Sequence, residues 1–151
     1  LLESMEESWG GAIFREMKMK FYDYYTKSSI RGWRAIPIDD QNRAKKGRNS
    51  ETFLREQLDR INVSKGVALR SIITQIKLIR DRLEHYHKTF IASSILIVID
   101  LQQPENARVK LIDLAHPIDV NHRLFQKYKV NFDEGIASLI TFLQAYVENE
   151  K

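Results

Sequence analysis

The 151-residue sequence contains no cysteine. Disulfides, thiolate zinc sites and cysteine nucleophiles are therefore excluded, and a reducing compartment is allowed without being demanded. No apolar run reaches the length of a membrane span. The acidic opening from Leu1 to Trp9 lacks the basic n-region of a signal peptide. Internal repeats and low-complexity tracts are also missing. So are the Gly-x-Ser-x-Gly elbow, the Walker A loop and the dinucleotide fingerprint. Excess charge is small: 24 Lys and Arg against 20 Asp and Glu give a net charge of +4. That value is compatible with an anionic ligand and does not require one. The basic residues are not interleaved with aromatics, and no zinc-finger or RNP-type motif occurs, so nucleic acid is not an expected partner.

What is present describes a packed chain. Its composition is 43% hydrophobic and 29% charged, the balance of a folded protein rather than a disordered one. The length suits a single domain spanning 1–151, or a large piece of one. Residues 12–25 carry Ile13, Met17, Phe21 and Tyr24 near helical spacing. Trp33 to Ile38 reads as a short extended segment. Asp39 to Asn49 is a polar, basic loop, and Ser50 is a candidate N-cap with Glu51 in the following turn. Ser64 is placed to cap a long helix whose broad face holds Val67, Ile72, Ile73, Ile76, Ile79, Leu83 and Tyr86. The run Phe90 to Leu101 is β-branched, of strand length and expected to be buried on both faces. A turn at Gln102 to Asn106 leads to a second strand, Arg108 to Leu114, which predicts a hairpin. His116 to Lys129 reads as irregular. Asp133 is expected to cap a last helix carrying Ile136, Leu139, Ile140, Leu143 and Tyr146. The class is α+β, with helices packed on an antiparallel hairpin.

Chemistry concentrates at the end of the second strand. Asp113 follows Leu111-Ile112, and a carboxylate on a buried apolar strand is costly unless paired or metal-bound. One carboxylate there suits the hydrated octahedron of Mg²⁺ between ATP phosphates. Asp113 capping a turn is the alternative. Ser93 and Ser94 put two hydroxyls into an apolar run, where they need partners; these are the backbone or a site near Asp113. Asp100, at the other end of that strand, reads as a turn residue. Lys45, Lys46 and Arg48, with Arg43 nearby, offer point charge and a guanidinium fork for phosphate oxygens, or a solvated surface. His85 and His87 are two apart and face different ways, which is poor spacing for a metal pair. His122 falls in a loop, and His116 lies three residues after Asp113.

Taken in order, these segments resemble the inositol polyphosphate kinase family. Ala92-Ser93-Ser94-Ile95-Leu96 is similar to its serine-serine-leucine-leucine strand. Ile112-Asp113-Leu114-Ala115-His116 is similar to its isoleucine-aspartate-phenylalanine-alanine-histidine strand end. The departures, Ile95 for leucine and Leu114 for phenylalanine, are conservative. Thr26 to Arg34 resembles the stretch before glycine-phenylalanine-arginine. Lys46-Gly47-Arg48 looks like a shortened lysine-tyrosine-glycine-arginine loop, and Gly135 to Ile140 resembles the closing helix. The likeness covers roughly residues 15–148. Ala92-Ser93-Ser94 looks closer to the multikinases and hexakisphosphate kinases than to the trisphosphate 3-kinases.

The resemblance implies the C-terminal lobe of a SAICAR synthase-like, kinase-related fold. It implies ATP and Mg²⁺ as cofactors, an inositol polyphosphate as substrate, and a cytoplasmic or nuclear enzyme. Asp113 would bind Mg²⁺ and the ATP phosphates, supported by Ser94 and Ser93. His116 would neighbour the metal or substrate phosphates, and Lys45, Lys46 and Arg48 would meet the inositol phosphates. The family's proline-x-x-x-aspartate-x-lysine-x-glycine segment, which supplies a catalytic aspartate and a substrate lysine, is not in this sequence, nor is the ATP-binding N-terminal lobe. The expectation is therefore the C-terminal portion of a longer kinase. The alternatives are a diverged, inactive member that binds inositol phosphates or other polyanions, and an unrelated α+β domain whose helix 65–87 packs on a partner.

Overall fold

The computed structural model describes residues 33, 35, 50–90, 93–114 and 116–148. The predicted helix at 12–25 lies outside them, as does most of the segment at 33–38, of which Trp33 and Ala35 are both half-buried. The chain divides into two units, residues 1–55 and 56–151. Helix α1, Ser50–Leu58, opens in the first unit and ends in the second. Its first turns are tied by Glu51 and Arg55, four residues apart and 3.1 Å from each other. Ser50 does not act as a side-chain cap. It is itself helical, whereas a capping residue stands just outside the helix, and its buried Oγ has no hydrogen-bond partner among the described residues.

The second unit is α+β and is built around two long helices, α2 (Lys65–Glu84) and α3 (Phe125–Glu148). Apolar residues recur every three or four positions on each. On α2 the buried set is Ala68, Leu69, Ile72, Ile73 and Ile76. On α3 it is Phe125, Gly135, Ile136, Leu139, Ile140, Leu143 and Tyr146. The helices pack on each other through these faces, so the apolar stripe of α2 is used within the chain. Each large side chain buried there contributes about 1.5–3 kcal/mol. Ser64 does precede α2, but in a left-handed conformation (φ 52°) with no side-chain cap. Val67 lies off the buried face at 50% exposure, and Tyr86 lies beyond the helix end, stacked on Phe90 with ring centroids 6.1 Å apart.

The start of α3 corrects two expectations. Asp133 sits inside the helix, where it pairs with Lys129 one turn earlier at 3.0 Å. Phe125, Tyr128 and Phe132 continue the helical period ahead of it, so no cap is needed there. The stretch 116–129 is therefore not irregular throughout: it holds strand β4 and the first residues of α3.

Two antiparallel pairs complete the unit. Strand β1 (Lys88–Phe90) pairs with β4 (Pro117–Asp119), bringing Thr89 opposite Ile118. Strand β2 (Ser94–Val98) pairs with β3 (Arg108–Ile112), bringing Ser94 opposite Ile112 and Val98 opposite Arg108. The connection contains a short 3-10 turn, Pro104–Asn106, and Asp100 Oδ1 accepts from Gln102 N at 2.8 Å, as a turn aspartate does. The predicted hairpin is thus present, but β2 has no fully buried residue and Val98 is 54% exposed. A central strand needs neighbours and cover on both faces, and among the described residues β2 pairs with β3 alone. Helix α2 touches β3 and the 3-10 turn, while α3 touches β1.

Candidate active site

The two pairings enclose one another in sequence. Between Phe90↔Pro117 and Ser94↔Ile112 lie three residues on one side, 91–93, and four on the other, 113–116. Ser93, Ser94, Asp113 and His116 all fall in or beside this interval.

Asp113 is the first residue after β3 and adopts a left-handed backbone conformation with φ 61°. Aspartate reaches that region more readily than most residues, yet it remains uncommon and collects at functional sites. The side chain is exposed, which corrects the expectation of a carboxylate sealed on a buried strand. In the two strands found among the described residues, Leu111 and Ile112 are only half-buried themselves. Asp113 therefore incurs no burial cost, and it makes no hydrogen bond or ion pair with the described residues.

The two serines separate. Ser94 is exposed and forms the last pair of the hairpin, opposite Ile112 and so one residue from Asp113. Ser93 has left the ladder, and its Oγ is buried without a hydrogen-bond partner among the described residues. An orphaned hydroxyl costs stability until something satisfies it. His116 is exposed at the entry to β4. Lys45, Lys46 and Arg48 lie outside the described residues. The hairpin thus ends with Ser94 opposite Ile112, the neighbour of Asp113, with Ser93 just beyond the ladder and His116 just ahead of β4.

A family model for inositol polyphosphate kinases matches residues 13–144. The chain belongs to the inositol polyphosphate kinase family. Neither the comparison with curated proteins nor that with solved structures gives a match. The α+β architecture, with three helices and small antiparallel sheets among the described residues, fits the kinase-like fold of this family. Inositol polyphosphate kinase activity in the general sense is what membership supports.

Among the described residues no three His, Asp or Glu side chains gather as a metal cluster. Magnesium in a kinase does not require one, since one or two carboxylates suffice when phosphates and water complete the shell. A single accessible carboxylate with no partner among the described residues fits that role.

Sequence reasoning missed one feature of the site's support. Gln75, on α2, donates from Nε2 to Ala107 O at 2.9 Å and accepts from Val109 N at Oε1, 3.0 Å away. It joins the helix to the start of the strand that ends at Asp113. A lone polar residue in a helical stripe carries no sequence signal for such a bond.

Proposed function

We propose that the protein catalyses transfer of the γ-phosphoryl group of ATP to an inositol polyphosphate. The observation that carries this reading is an unpaired, left-handed aspartate at the end of β3, beside two serines, in a chain of this family. Asp113 would hold Mg²⁺, which when bound offsets charge on the ATP phosphates. Ser93, whose hydroxyl lacks a partner, and Ser94 would steady that site by hydrogen bonding. His116 would face metal-bound or substrate phosphate oxygens. Lys45, Lys46 and Arg48 would bind the phosphates of the inositol. The bond from the γ-phosphorus to its bridging oxygen breaks, and a new bond forms to an inositol hydroxyl or phosphate oxygen. With a hydroxyl acceptor, the proton leaves to solvent or a base. Positioning and charge neutralisation supply most of the rate in such transfers.

The sequence likeness at Ala92-Ser93-Ser94 favours a multikinase or hexakisphosphate kinase over a trisphosphate 3-kinase. A second reading is a non-catalytic inositol phosphate or polyanion binder of the same family.

One experiment separates the two readings. Labelled ATP and Mg²⁺ are supplied with a panel of inositol phosphates to the full-length protein and to Asp113→Asn. Transfer by the parent and its loss in the variant supports the kinase, and the panel names the substrate. A folded, inert parent whose salt-sensitive inositol phosphate binding survives Asp113→Asn supports the binder.

A further inference from the structure

We propose that Gln75 is a positioning residue for Asp113: its side-chain amide fixes the register of β3 on helix α2, and thereby the point at which the strand ends. The inference rests on the kinase reading for its consequence in catalysis, but the coupling itself is structural.

Strand β3 is held at both edges. Residues 94–98 of β2 pair along one. On the other, Gln75 takes the N–H of Val109 and the C=O of Ala107, the two outward groups that a neighbouring strand would occupy. Helix α2 therefore supplies with one side chain what a third strand would supply with its backbone. The amide cannot turn over without setting its NH₂ group against the N–H of Val109. Its second donor hydrogen is also used, on Ser71 Oγ at 3.1 Å, so three of its four bonding positions are filled. The root of the strand is sealed as well, with Ala107 at 0% exposure and Pro104 fully buried.

The other end differs. Asp113 is four residues beyond Val109, about 13 Å along an extended chain. It is exposed and its conformation is left-handed. Side chains alternate along a strand, so a slip of one residue turns every following side chain to the opposite face. Among the described residues, the side-chain hydrogen bonds from α2 to this strand both lie at its start, where Gln75 acts. Where Asp113 emerges is set there.

The test replaces Gln75 with leucine, which keeps the volume and removes both bonds, and with glutamate, which keeps the acceptor for Val109 N. Two readouts are taken. The first is the HN–Hα coupling of Asp113 by NMR, which reports φ and needs no activity. The second is the Mg²⁺ dependence of phosphoryl transfer in the full-length protein. The expected result is a changed Asp113 coupling in Gln75→Leu with partial return in Gln75→Glu. Transfer falls by up to about a hundredfold at fixed Mg²⁺, the size a displaced site produces from a distance. KM for the inositol phosphate stays constant, and the double variant Gln75→Leu, Asp113→Asn loses no more than Asp113→Asn alone. An unchanged Asp113 coupling in Gln75→Leu overturns the proposal, whatever the activity. So does a variant that melts lower but keeps the parent's Mg²⁺ dependence. A changed coupling in a protein whose parent transfers no phosphate leaves the positioning intact and removes the kinase reading instead.

Discussion

Asp113 occupies a conformation that most side chains avoid, and this separates its structural role from its chemical one. Asparagine enters the left-handed region at least as readily as aspartate, whereas alanine does so rarely. Asp113→Asn should therefore melt with the parent, and Asp113→Ala should be less stable by about 1 kcal/mol. Urea titrations of the two variants check this, and equal midpoints would show that the backbone there is relaxed. Ser93 gives the converse case. Its buried hydroxyl lacks a partner, so Ser93→Ala should raise ligand-free stability by about 1 kcal/mol. It should also shrink the rise in melting temperature that ATP and Mg²⁺ produce. A destabilised Ser93→Ala with an undiminished ligand shift would mean that the hydroxyl does not serve the ligand. The sequence made Asp113 and both serines visible, because polar residues interrupting apolar runs are conspicuous. It did not distinguish Ser93 from Ser94. Which of two adjacent hydroxyls turns inward depends on where pairing stops, and that depends on the opposite strand.

Among the elements, helices were easier to read than strands. The period of Ala68, Leu69, Ile72, Ile73 and Ile76 is local and survives without knowledge of the partner. Strands β1 and β4 have three residues each, too few for any period, and they exist because Thr89 meets Ile118 from far along the chain. The early start of α3 was hidden by Asp133, which has the chemistry of a cap but pairs with Lys129 inside the helix. The burial of β2 was overestimated because an apolar run does not say how many strands will flank it. The helical interface should respond to truncation accordingly. Ile76 and Leu143 are fully buried, and Ile76→Ala or Leu143→Ala should each lose about 2–5 kcal/mol. Val67→Ala, on the exposed side of α2, should change stability by no more than about 0.5 kcal/mol. Chemical denaturation of the three variants compares them, and a similar loss at Val67 would place that face against something.

On the largest scale, one cluster joins the chain before α2, the first residue of α2 and the last turn of α3. Lys65 Nζ lies 3.2 Å from Asp59 and 4.8 Å above the ring of Tyr146, and the Tyr146 hydroxyl donates to Asp59. Burial raises the Tyr146 pKa above its ordinary 10.0, and the bond to Asp59 pushes the same way, while Lys65 opposes both. The direction fixes a pH dependence. Below pH 10 the phenol is protonated in the folded and unfolded chains alike, and the contribution is complete. Above it the unfolded chain releases a proton that the folded chain retains. Stability is then lost as pH climbs through the raised folded value. Tyr146→Phe cannot titrate. At neutral pH it should be less stable than the parent by about 1 kcal/mol, the worth of the hydrogen bond. Between pH 9 and 11 the difference in melting temperature should narrow, because only the parent carries the loss. A gap that stays constant or widens over that range would mean that Tyr146 ionises in the folded protein as readily as in the unfolded one. The Asp59 bond would then not hold the phenol protonated, and the closure of the helical unit would rest on packing alone.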